Sequence, residues 1–466
     1  MNRRGFISRV SAALAAPSLV SVLAGTSAVP AGRRPCILLR GSWQSVNIGD
    51  IGHTPGALEV IARHLPEASV ILWPGWPGGL ERGSRELLQR SFPNVRIIEG
   101  IMGPDNKPVP PLDEAGRPVW PGLAAAWEEA DIMIHGSGSG FAARNQLDAW
   151  HRATGKPYGA LGVSMDPISG FGEGRDPEGG TLVELWNRIE KLPRTHLDTD
   201  TRRIIDGAAF LFTRDTITRD YLRLQGVRTP ILEFGPDSQF GMTLRDEARG
   251  DAFRQAHGLV SGKYICVIPR LRYTPYYEIY NRPRDHTDGM RDALNTQAVE
   301  VDHAKIREMI VAYVRKTGHR VMTCPEMTYQ AKLAKWAVID PLPEDVREHV
   351  VWRDEYWLPD EAASIYAHAQ AVVSLDCHSP IIAVANGTPG IYVRQPTDTC
   401  KGQMYRDLGL DEWFFEIEET TGADLWARLE KILRDPAGAR RQADAAMARV
   451  RKHQARMAAA LGEAVS

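Results

Sequence analysis

Short apolar runs alternate with stretches of helical periodicity along most of this chain. The first run begins at Cys36, and after a mixed segment, residues 235–263, the same alternation starts again. Strands that alternate with helices are typical of βαβ units, whose crossover helices cover the faces of a parallel sheet. The pattern therefore predicts an α/β protein with two doubly wound, Rossmann-like domains.

The predicted strands form two sets, one before and one after the mixed segment. The first set is Cys36–Arg40, Ser69–Trp73, Val95–Glu99, Asp131–His135, Tyr158–Val163, Ala209–Thr213 and Ile231–Phe234. The second set is Tyr264–Ile268, Arg320–Cys324, Val350–Trp352, Ala371–Leu375 and Gly390–Arg394. Helical patterns lie between them, among them Pro55–His64, Lys305–Lys316 and Ile381–Ala385.

A chain of 466 residues exceeds what one hydrophobic core usually holds, so two domains are expected. We place the N-terminal Rossmann-like domain at residues 32–240 and the C-terminal one at residues 241–420. The alanine-rich, charged residues 421–466 are predicted to form helices that pack back on the domains. The net charge of −2 offers no basic excess for displacing counterions from phosphates, so no nucleic-acid partner is expected.

Residues 1–31 differ in composition from the rest of the chain and predict a signal peptide. Arg3 and Arg4 precede a weakly apolar stretch that ends in small residues, and no acidic residue occurs before Asp50. These features are typical of a twin-arginine signal, so the protein is expected to be exported to the periplasm or cell envelope by that machinery. A fortuitous Arg-Arg pair or a membrane anchor is the alternative, against which Pro17 argues.

The five cysteines are scattered, and no two of them form a C-x-x-C pair. This spacing predicts neither a zinc site nor a disulfide framework, and no metal or cofactor is expected. Cys36, Cys266 and Cys324 lie in apolar runs and are interpreted as core residues. Cys377 differs because it lies within a polar stretch.

That polar stretch, Asp376–Ser379, follows the predicted strand Ala371–Leu375, and Pro380 is predicted to open the next helix. In open α/β sheets, ligands bind at the carboxyl ends of the strands, where helix N-termini offer free N–H groups. The stretch is therefore either part of a ligand site or a turn that caps its helix, and the local sequence does not separate the two readings.

The loop after the first predicted strand contains Asn47, Gly49 and Asp50. Asn47 can supply amide contacts, Gly49 allows the backbone to approach a ligand closely, and Asp50 can accept hydrogen bonds or act as a base. Thr54 and Pro55 are predicted as the N-cap and the first residue of the following helix. An ordinary Asn/Gly/Asp turn is the alternative.

Three further loops can bind anions or sugars. The glycine loop around Gly138 lacks the dinucleotide-binding spacing but offers N–H groups at a helix start. Arg214 can clamp an anion or form a structural ion pair. The segment that contains Arg270 and Arg272 mixes arginine with tyrosine, as expected of a loop over a cleft or of a surface excursion.

Together these motifs resemble the polysaccharide pyruvyl transferase family. The resemblance rests, in chain order, on Asn47-Ile-Gly49-Asp50, Asp131-Ile-Met-Ile-His-Gly-Ser-Gly138, Leu161-Gly-Val-Ser-Met-Asp-Pro167, Thr213-Arg214-Asp215, Gly235-Pro-Asp237-Ser-Gln-Phe240, Ser364-Ile-Tyr-Ala-His-Ala-Gln-Ala-Val-Val373, His378-Ser379, Gly387-Thr-Pro389 and Lys401. It implies a two-domain arrangement similar to GT-B glycosyltransferases, with the site in the interdomain cleft.

The resemblance also implies a reaction and roles for particular residues. Family members transfer the enolpyruvyl unit of phosphoenolpyruvate to a glycan as a ketal, and the chemistry requires no metal. His378 would be the general acid, and Asp50 is the second candidate catalytic residue. The candidate substrate-binding residues are Asn47, Gly49, Gly138, Arg214, Arg270, Arg272, Ser379, Arg394 and Lys401.

One departure from the family pattern concerns the donor. Asp376 stands where the family commonly has arginine, and a carboxylate in a desolvated anion site opposes binding of a negatively charged donor. Arg270, Arg272 or Arg394 could compensate. Two other functions are therefore considered: a non-catalytic glycan-binding protein that kept the fold, and a GT-B-like glycosyltransferase that uses a nucleotide sugar.

Overall fold

The computed structural model describes residues 34–74, 80–100 and 120–466, so the predicted signal peptide, residues 1–31, lies outside the described residues. Within these ranges the chain forms two parallel β-sheets with helices between the strands, which confirms the predicted α/β class. The strands are buried along most of their length, as expected when crossover helices cover both faces of a sheet.

The first sheet contains eight strands of the described residues. They are β1 (Cys36–Arg40), β2 (Ser69–Trp73), β3 (Arg96–Ile97), β4 (Ile132–His135), β5 (Gly138–Ser139), β6 (Tyr158–Ser164), β7 (Phe210–Thr213) and β8 (Leu232–Phe234). Their spatial order is β3-β2-β1-β4-β6-β7-β8, and the short strand β5 pairs with β6. The chain runs outward from β1 in one direction and then returns to β4, which creates a switch point between these two strands.

The second sheet repeats this topology. Its strands are β9 (Tyr264–Ile268), β10 (Arg320–Thr323), β11 (Val350–Trp352), β12 (Val372–Ser374), β13 (Gly390–Arg394) and β14 (Phe414–Glu416). The spatial order β11-β10-β9-β12-β13-β14 places its switch point between β9 and β12. β14 was not predicted because its three residues are embedded in a segment of short 3₁₀ turns.

Helices connect the strands and continue beyond the second sheet. They are α1 (Ile48–His64), α2 (Ser84–Ser91), α3 (Pro121–Glu129), α4 (Arg144–Thr154), α5 (Leu182–Ile189), α6 (Thr199–Asp206), α7 (Thr216–Leu224), α8 (Glu247–Ala256), α9 (Tyr276–Ile279), α10 (His286–Thr317), α11 (Gln330–Leu333), α12 (Glu344–Arg347), α13 (Pro359–Tyr366), α14 (His378–Ala385), α15 (Gln403–Asp407), α16 (Gly422–Arg434) and α17 (Pro436–Ala464). α16 packs on α10, and α17 packs on α1 and α14. The domain boundaries given above stay predictions.

Two helix starts near the carboxyl ends of the strands differ from the prediction. α1 begins at Ile48 rather than at Pro55, because the side chain of Asn47 accepts a hydrogen bond from Gly49 N and caps the helix. Pro55 therefore lies inside the helix. α14 begins at His378 rather than after Pro380, so His378 and Ser379 belong to its first turn.

The helix predicted at Lys305–Lys316 is the last part of α10, which starts at His286. Asp285 and Asp288 form a reciprocal cap at this start. The segment before it, which includes the short helix α9, is an irregular connection, as the mixture of arginine and tyrosine indicated. In the described residues, no helix combines the length and apolarity that crossing a bilayer requires.

The two halves of the chain meet through backbone contacts. Asn47 and Met327 form an antiparallel bridge, in which Ile48 N donates to Glu326 O at 3.0 Å and Thr328 N donates to Val46 O at 3.1 Å. The loops that follow β1 and β10 are thus joined directly. The carboxyl ends of strands from both sheets are brought to one seam, where ligand sites of this fold are expected.

Candidate active site

The N-terminus of α14 is held by Glu326, a buried residue in the loop after β10. Glu326 Oε2 accepts a hydrogen bond from Ser379 N at 2.6 Å, and its Oε1 accepts one from His378 N at 3.4 Å. A carboxyl group suits this position because first-turn N–H groups have no partner within the helix. Burial raises the pKa of Glu326, and the neighbouring Asp376 acts in the same direction.

His378 is oriented by the same carboxyl group. Its Nδ1 lies 2.9 Å from Glu326 Oε1, whereas its Nε2 is buried without a hydrogen-bond partner among the described residues. Burial lowers the pKa of His378 to about 3, so the imidazole is neutral at ordinary pH. Nε2 is therefore the ring nitrogen left for a substrate.

A second histidine, His53 of α1, faces His378. The two ring centroids are 5.1 Å apart at an interplanar angle of 70°, and His53 Nε2 lies 3.1 Å from Asp237 Oδ2. Asp237 Oδ2 also accepts a hydrogen bond from Arg214 NH1 at 2.7 Å. Burial alone would raise the pKa of Asp237, but His53 and Arg214 hold it well below its usual range. We call His53, His378, Asp237 and Arg214 the histidine cluster.

Asp376, the residue that departs from the family pattern, lies in a group of paired cations and carboxylates. Arg270 Nε lies 3.4 Å from Asp376 Oδ2, and Arg270 NH1 lies 2.5 Å from Asp398 Oδ1. Lys401 Nζ lies 2.6 Å from the same Asp398 oxygen. Burial alone would raise the pKa of Asp376, but Arg270 and Lys401 lower it, so the group is ionised. These two cations and two carboxylates, the ion cluster, neutralise one another.

The predicted glycines and Asp50 make close packing contacts, of which the one at Gly49 joins the two halves. A Cβ atom at Gly49 would lie 2.2 Å from His378 Cγ, so the bare backbone of α1 is what admits the imidazole. Gly138 lies against Trp43, where a Cβ atom would be 3.0 Å from Nε1. Asp50 contacts the side chain of Gln44 and lies 3.8 Å from His53 Nδ1.

Two predicted arginines lie in other ion pairs. Arg272 binds Asp302 through both Nε and NH2, at 3.0 and 2.9 Å. Arg394 NH1 donates to Glu416 Oε2 at 2.7 Å, and its other nitrogens donate to backbone oxygens. Neither arginine contacts Asp376 within the described residues. Of the three arginines proposed to compensate Asp376, Arg270 is therefore the one that pairs with it.

The structure thus joins His378, Ser379, Gly49 and Arg214 around one buried centre, with Arg270 and Lys401 beside it. Sequence reasoning did not single out His53, Asp398 or Glu326. Glu326 lies two residues after the end of a predicted strand, so the expectation that ligands bind at strand ends could have found it. His53 lay at the end of the predicted loop after the first strand, but nothing in the sequence indicated that the second half of the chain would give it a partner ring.

The arrangement is suited to proton transfer. Two imidazoles face each other, and each has a carboxyl group close to one ring nitrogen. At His378 this contact is a hydrogen bond, which leaves Nε2 for a substrate. Buried, oriented acid–base groups of this kind are typical of catalytic sites. The charges around them are paired within the protein.

Two solved structures illustrate the similarity of fold. The UDP-GlcNAc 2-epimerase of Neisseria meningitidis superposes with a TM-score of 0.52 at 10% identity, over 92% of this chain and 100% of that chain. A putative UDP-N-acetylglucosamine 2-epimerase of Listeria monocytogenes gives 0.51 at 11% identity, over 89% and 91%. At such identities the likeness establishes the two-domain, GT-B-like fold alone.

No curated protein sequence matches this chain. The family model of the polysaccharide pyruvyl transferases, however, matches residues 47–395, which begin at the cap of α1 and end just beyond β13. This range contains the whole histidine cluster, together with Glu326, Asp376 and Arg270. The chain therefore belongs to the polysaccharide pyruvyl transferase family.

Proposed function

We propose that this protein transfers a pyruvyl group from phosphoenolpyruvate, or a related anionic donor, to a cell-envelope glycan. The observation that carries the proposal is the unpartnered Nε2 of His378, buried at the seam between the two sheets and oriented by Glu326 through Nδ1. Family membership supports a transferase, and the acid–base centre supports a reaction that moves protons.

Ketal formation has a definite proton balance. Two acceptor hydroxyl groups each lose a proton, the enol carbon gains one proton to become a methyl group, and inorganic phosphate leaves with the other. His378 is the general acid in this proposal, and a negatively charged donor would raise its pKa from about 3 toward the working range. Asp50, which lies near His53, is the second candidate for proton transfer.

The cations that an anionic donor would need are already paired within the ion cluster. Phosphoenolpyruvate carries a phosphate and a carboxylate, yet Arg270 and Lys401 already contact Asp376 and Asp398. The donor therefore has to exchange partners with these internal carboxylates. Arg214, the third proposed anion clamp, is likewise paired with Asp237.

Titration calorimetry with phosphoenolpyruvate tests the proposal. We expect binding heat at millimolar donor, and loss of turnover in His378→Ala with a glycan acceptor. No heat from a folded protein would rule out phosphoenolpyruvate as the donor. Unchanged turnover in His378→Ala would remove this residue from the acid role.

The neutral ion cluster specifically favours a second candidate, a non-catalytic glycan-binding protein. Cations that are fully paired within the chain offer little attraction to an anionic donor. This candidate predicts glycan binding without phosphoenolpyruvate binding, so the same calorimetry with both ligands separates the two functions.

We further propose export by the twin-arginine route. Arg3 and Arg4 support it, together with the small residues near Ala28. Phosphoenolpyruvate is a cytoplasmic metabolite, and this route carries proteins that have already folded, so a donor acquired before export is compatible with it. Replacement of Arg3 and Arg4 by lysine should retain the protein in the cytoplasm on cell fractionation. Unchanged export would contradict the proposal.

A further inference from the structure

A cavity of about 460 Å³ lies beside the histidine cluster, at the carboxyl end of β6. The loop after β6 and the start of α6 form much of its wall, and Thr399 contributes from the second half of the chain. Its volume falls in the range of small-molecule sites in proteins. None of the residues proposed above to bind the donor lines it.

Two polar atoms in the lining lack partners. Asp166 Oδ2 and Ser169 Oγ are buried and make no hydrogen bond within the described residues. Asp166 Oδ1, in contrast, accepts hydrogen bonds from Ile168 N and Ser169 N at 2.7 and 2.9 Å, which fixes the carboxyl group in place. Buried polar atoms are nearly always paired. Because both atoms are closed off from solvent in this structure, a hydroxyl group in the cavity reaches them once the loop after β6 shifts.

The cavity also offers a guanidinium group and an aromatic side chain. Arg144, at the start of α4, makes no ion pair or hydrogen bond through its side chain within the described residues, although its charge lowers the pKa of Asp198 against the effect of burial. Phe141 lies beside it in the lining. An aromatic surface combined with hydrogen-bonding groups is suited to a sugar ring, which has apolar faces and polar edges.

The wall of the cavity crosses the seam between the two halves. Arg175 NH1 donates to the backbone oxygen of Ser169 at 3.2 Å, which holds the loop after β6 together. Further along this loop, Gly180 N donates to Pro396 O at 3.2 Å and Gly180 O accepts from Arg394 NH1 at 2.9 Å. These contacts lie outside the lining, but Thr399 of the second half is part of it, so both halves contribute to the cavity.

A short side-chain path links the cavity to the histidine cluster. Ser164 lines the cavity, and its Oγ accepts a hydrogen bond from Arg214 Nε at 2.9 Å. Arg214 in turn contacts Asp237, which lies next to His53. Arg214 and Asp237 thus separate the lining of the cavity from the two histidines.

We propose that this cavity is the acceptor site and that it binds a sugar ring with free hydroxyl groups; this rests on the proposed glycan transferase function. The hydroxyl groups donate to Asp166 Oδ2 and Ser169 Oγ, and Arg144 donates to an oxygen at the edge of the ring. Arg214 then lies between the bound sugar and the histidine pair, which places the acceptor beside the proton-transfer centre.

The test is saturation-transfer NMR on the full chain with three methyl α-pyranosides, those of glucose, mannose and galactose, without any donor. We expect at least one to bind, and Asp166→Asn and Ser169→Ala each to weaken its binding about tenfold or more. Asparagine keeps the Oδ1 acceptor that orders the loop. Asp200→Asn is the matched control, because Asp200 is exposed on α6 outside the cavity, and binding should not change.

A variant that fills the cavity with a large side chain tests the proposal even if Asp166→Asn and Ser169→Ala fold poorly. Ser139 has an exposed side chain in the lining, so Ser139→Trp should occupy the cavity without disturbing the core and should abolish sugar binding. Binding that persists in Ser139→Trp, or no binding of any of the three glycosides by the folded wild-type chain, would overturn the proposal.

The outcomes also distinguish this site from the proposed reaction. Sugar binding that Ser139→Trp abolishes, in a protein that never transfers pyruvate, would support the cavity and contradict the transferase function. Pyruvyl transfer that continues at the wild-type rate in Ser139→Trp would support the function and contradict the cavity as its acceptor site.

Discussion

Asp376 places a negative charge in a buried site, and nearby groups of the protein compensate that charge. Arg270 and Gln330 both bind it, and Cys377 N donates to its Oδ1 at 3.0 Å. The arginine that the family resemblance implies at this position would instead add a second cation beside Arg270. The residue is therefore part of a built ion cluster, and its effect on donor binding can be measured.

We expect Asp376→Asn to destabilise the protein and to strengthen donor binding. The substitution leaves Arg270 partly unpaired in a buried site, which should lower the free energy of unfolding by about 3 kcal/mol. The freed positive charge should tighten phosphoenolpyruvate binding about tenfold or more, as measured by calorimetry. Unchanged donor affinity in a folded variant would show that the ion cluster does not control the donor. Asp200→Asn, on the surface, should change neither quantity.

His53 gives a second prediction at this scale. In His53→Gln the side-chain amide can still donate to Asp237, so the melting temperature should change little, but the residue can no longer exchange protons. If His53 takes part in proton transfer, turnover should fall about 10²- to 10⁴-fold while donor binding persists. A loss of donor binding equal to the loss of turnover would instead indicate a structural role.

At the scale of elements, the sequence predicted strands more accurately than helix starts. β1, β2, β9, β11 and β13 match their predicted ranges residue for residue, because buried parallel strands have continuous apolar runs. The start of α1 was misplaced because Thr54-Pro55 is a good start signal, whereas the helix is in fact capped by Asn47. The start of α14 was misplaced likewise, since its first turn is held by Glu326, which is distant in sequence.

The packing of α1 on α14 leads to an element-scale prediction. Gly49→Ala places a Cβ atom 2.2 Å from His378 Cγ, so the helices must separate or the imidazole must turn. We expect a loss of about 1–3 kcal/mol in the free energy of unfolding, as for other overpacked sites. The matched control is Gly122→Ala in α3, where a Cβ atom meets nothing within 4 Å and stability should be unchanged or slightly higher. Equal effects of the two variants would contradict this account of Gly49.

At the scale of the whole molecule, function depends on the seam between the two sheets. The sequence could predict that Arg214 and His378 each follow a strand and so lie at the carboxyl end of a sheet, because that expectation needs the strands of one domain only. It could not predict the approach of His53 to His378, since this distance depends on how the two halves are packed. For Asp376 it offered Arg270, Arg272 and Arg394 as alternative partners and could not select among them. The family resemblance named His378 and Asp376. The packing of the two halves gives His378 its neighbour His53, whereas Glu326 and Arg270 come from the same half as the residues they contact.

The response of the whole fold to acid follows from its buried histidines. Burial, aided by the charge of Arg40 and by His53, lowers the pKa of His135 to about 3, whereas an unfolded histidine has a pKa near 6.5. Between these values the unfolded state binds the additional proton, so the free energy of unfolding falls as the pH drops below about 6.5 and is unaffected above it.

His135→Asn, which keeps a donor for Gly136 O, isolates this contribution. Denaturant unfolding of both proteins at pH 7.5, 6 and 5 should show the wild type losing up to about 1.4 kcal/mol more per pH unit below about 6.5 than the variant. Burial raises the pKa of Asp215 to about 6. Its effect on the free energy of unfolding has the opposite sign, because its contribution to stability is lost as the pH rises from about 4 through 6. Since Asp215 is present in both proteins, it cancels in the difference. Parallel pH curves for the two proteins would show that His135 is protonated as readily in the fold as in the unfolded chain.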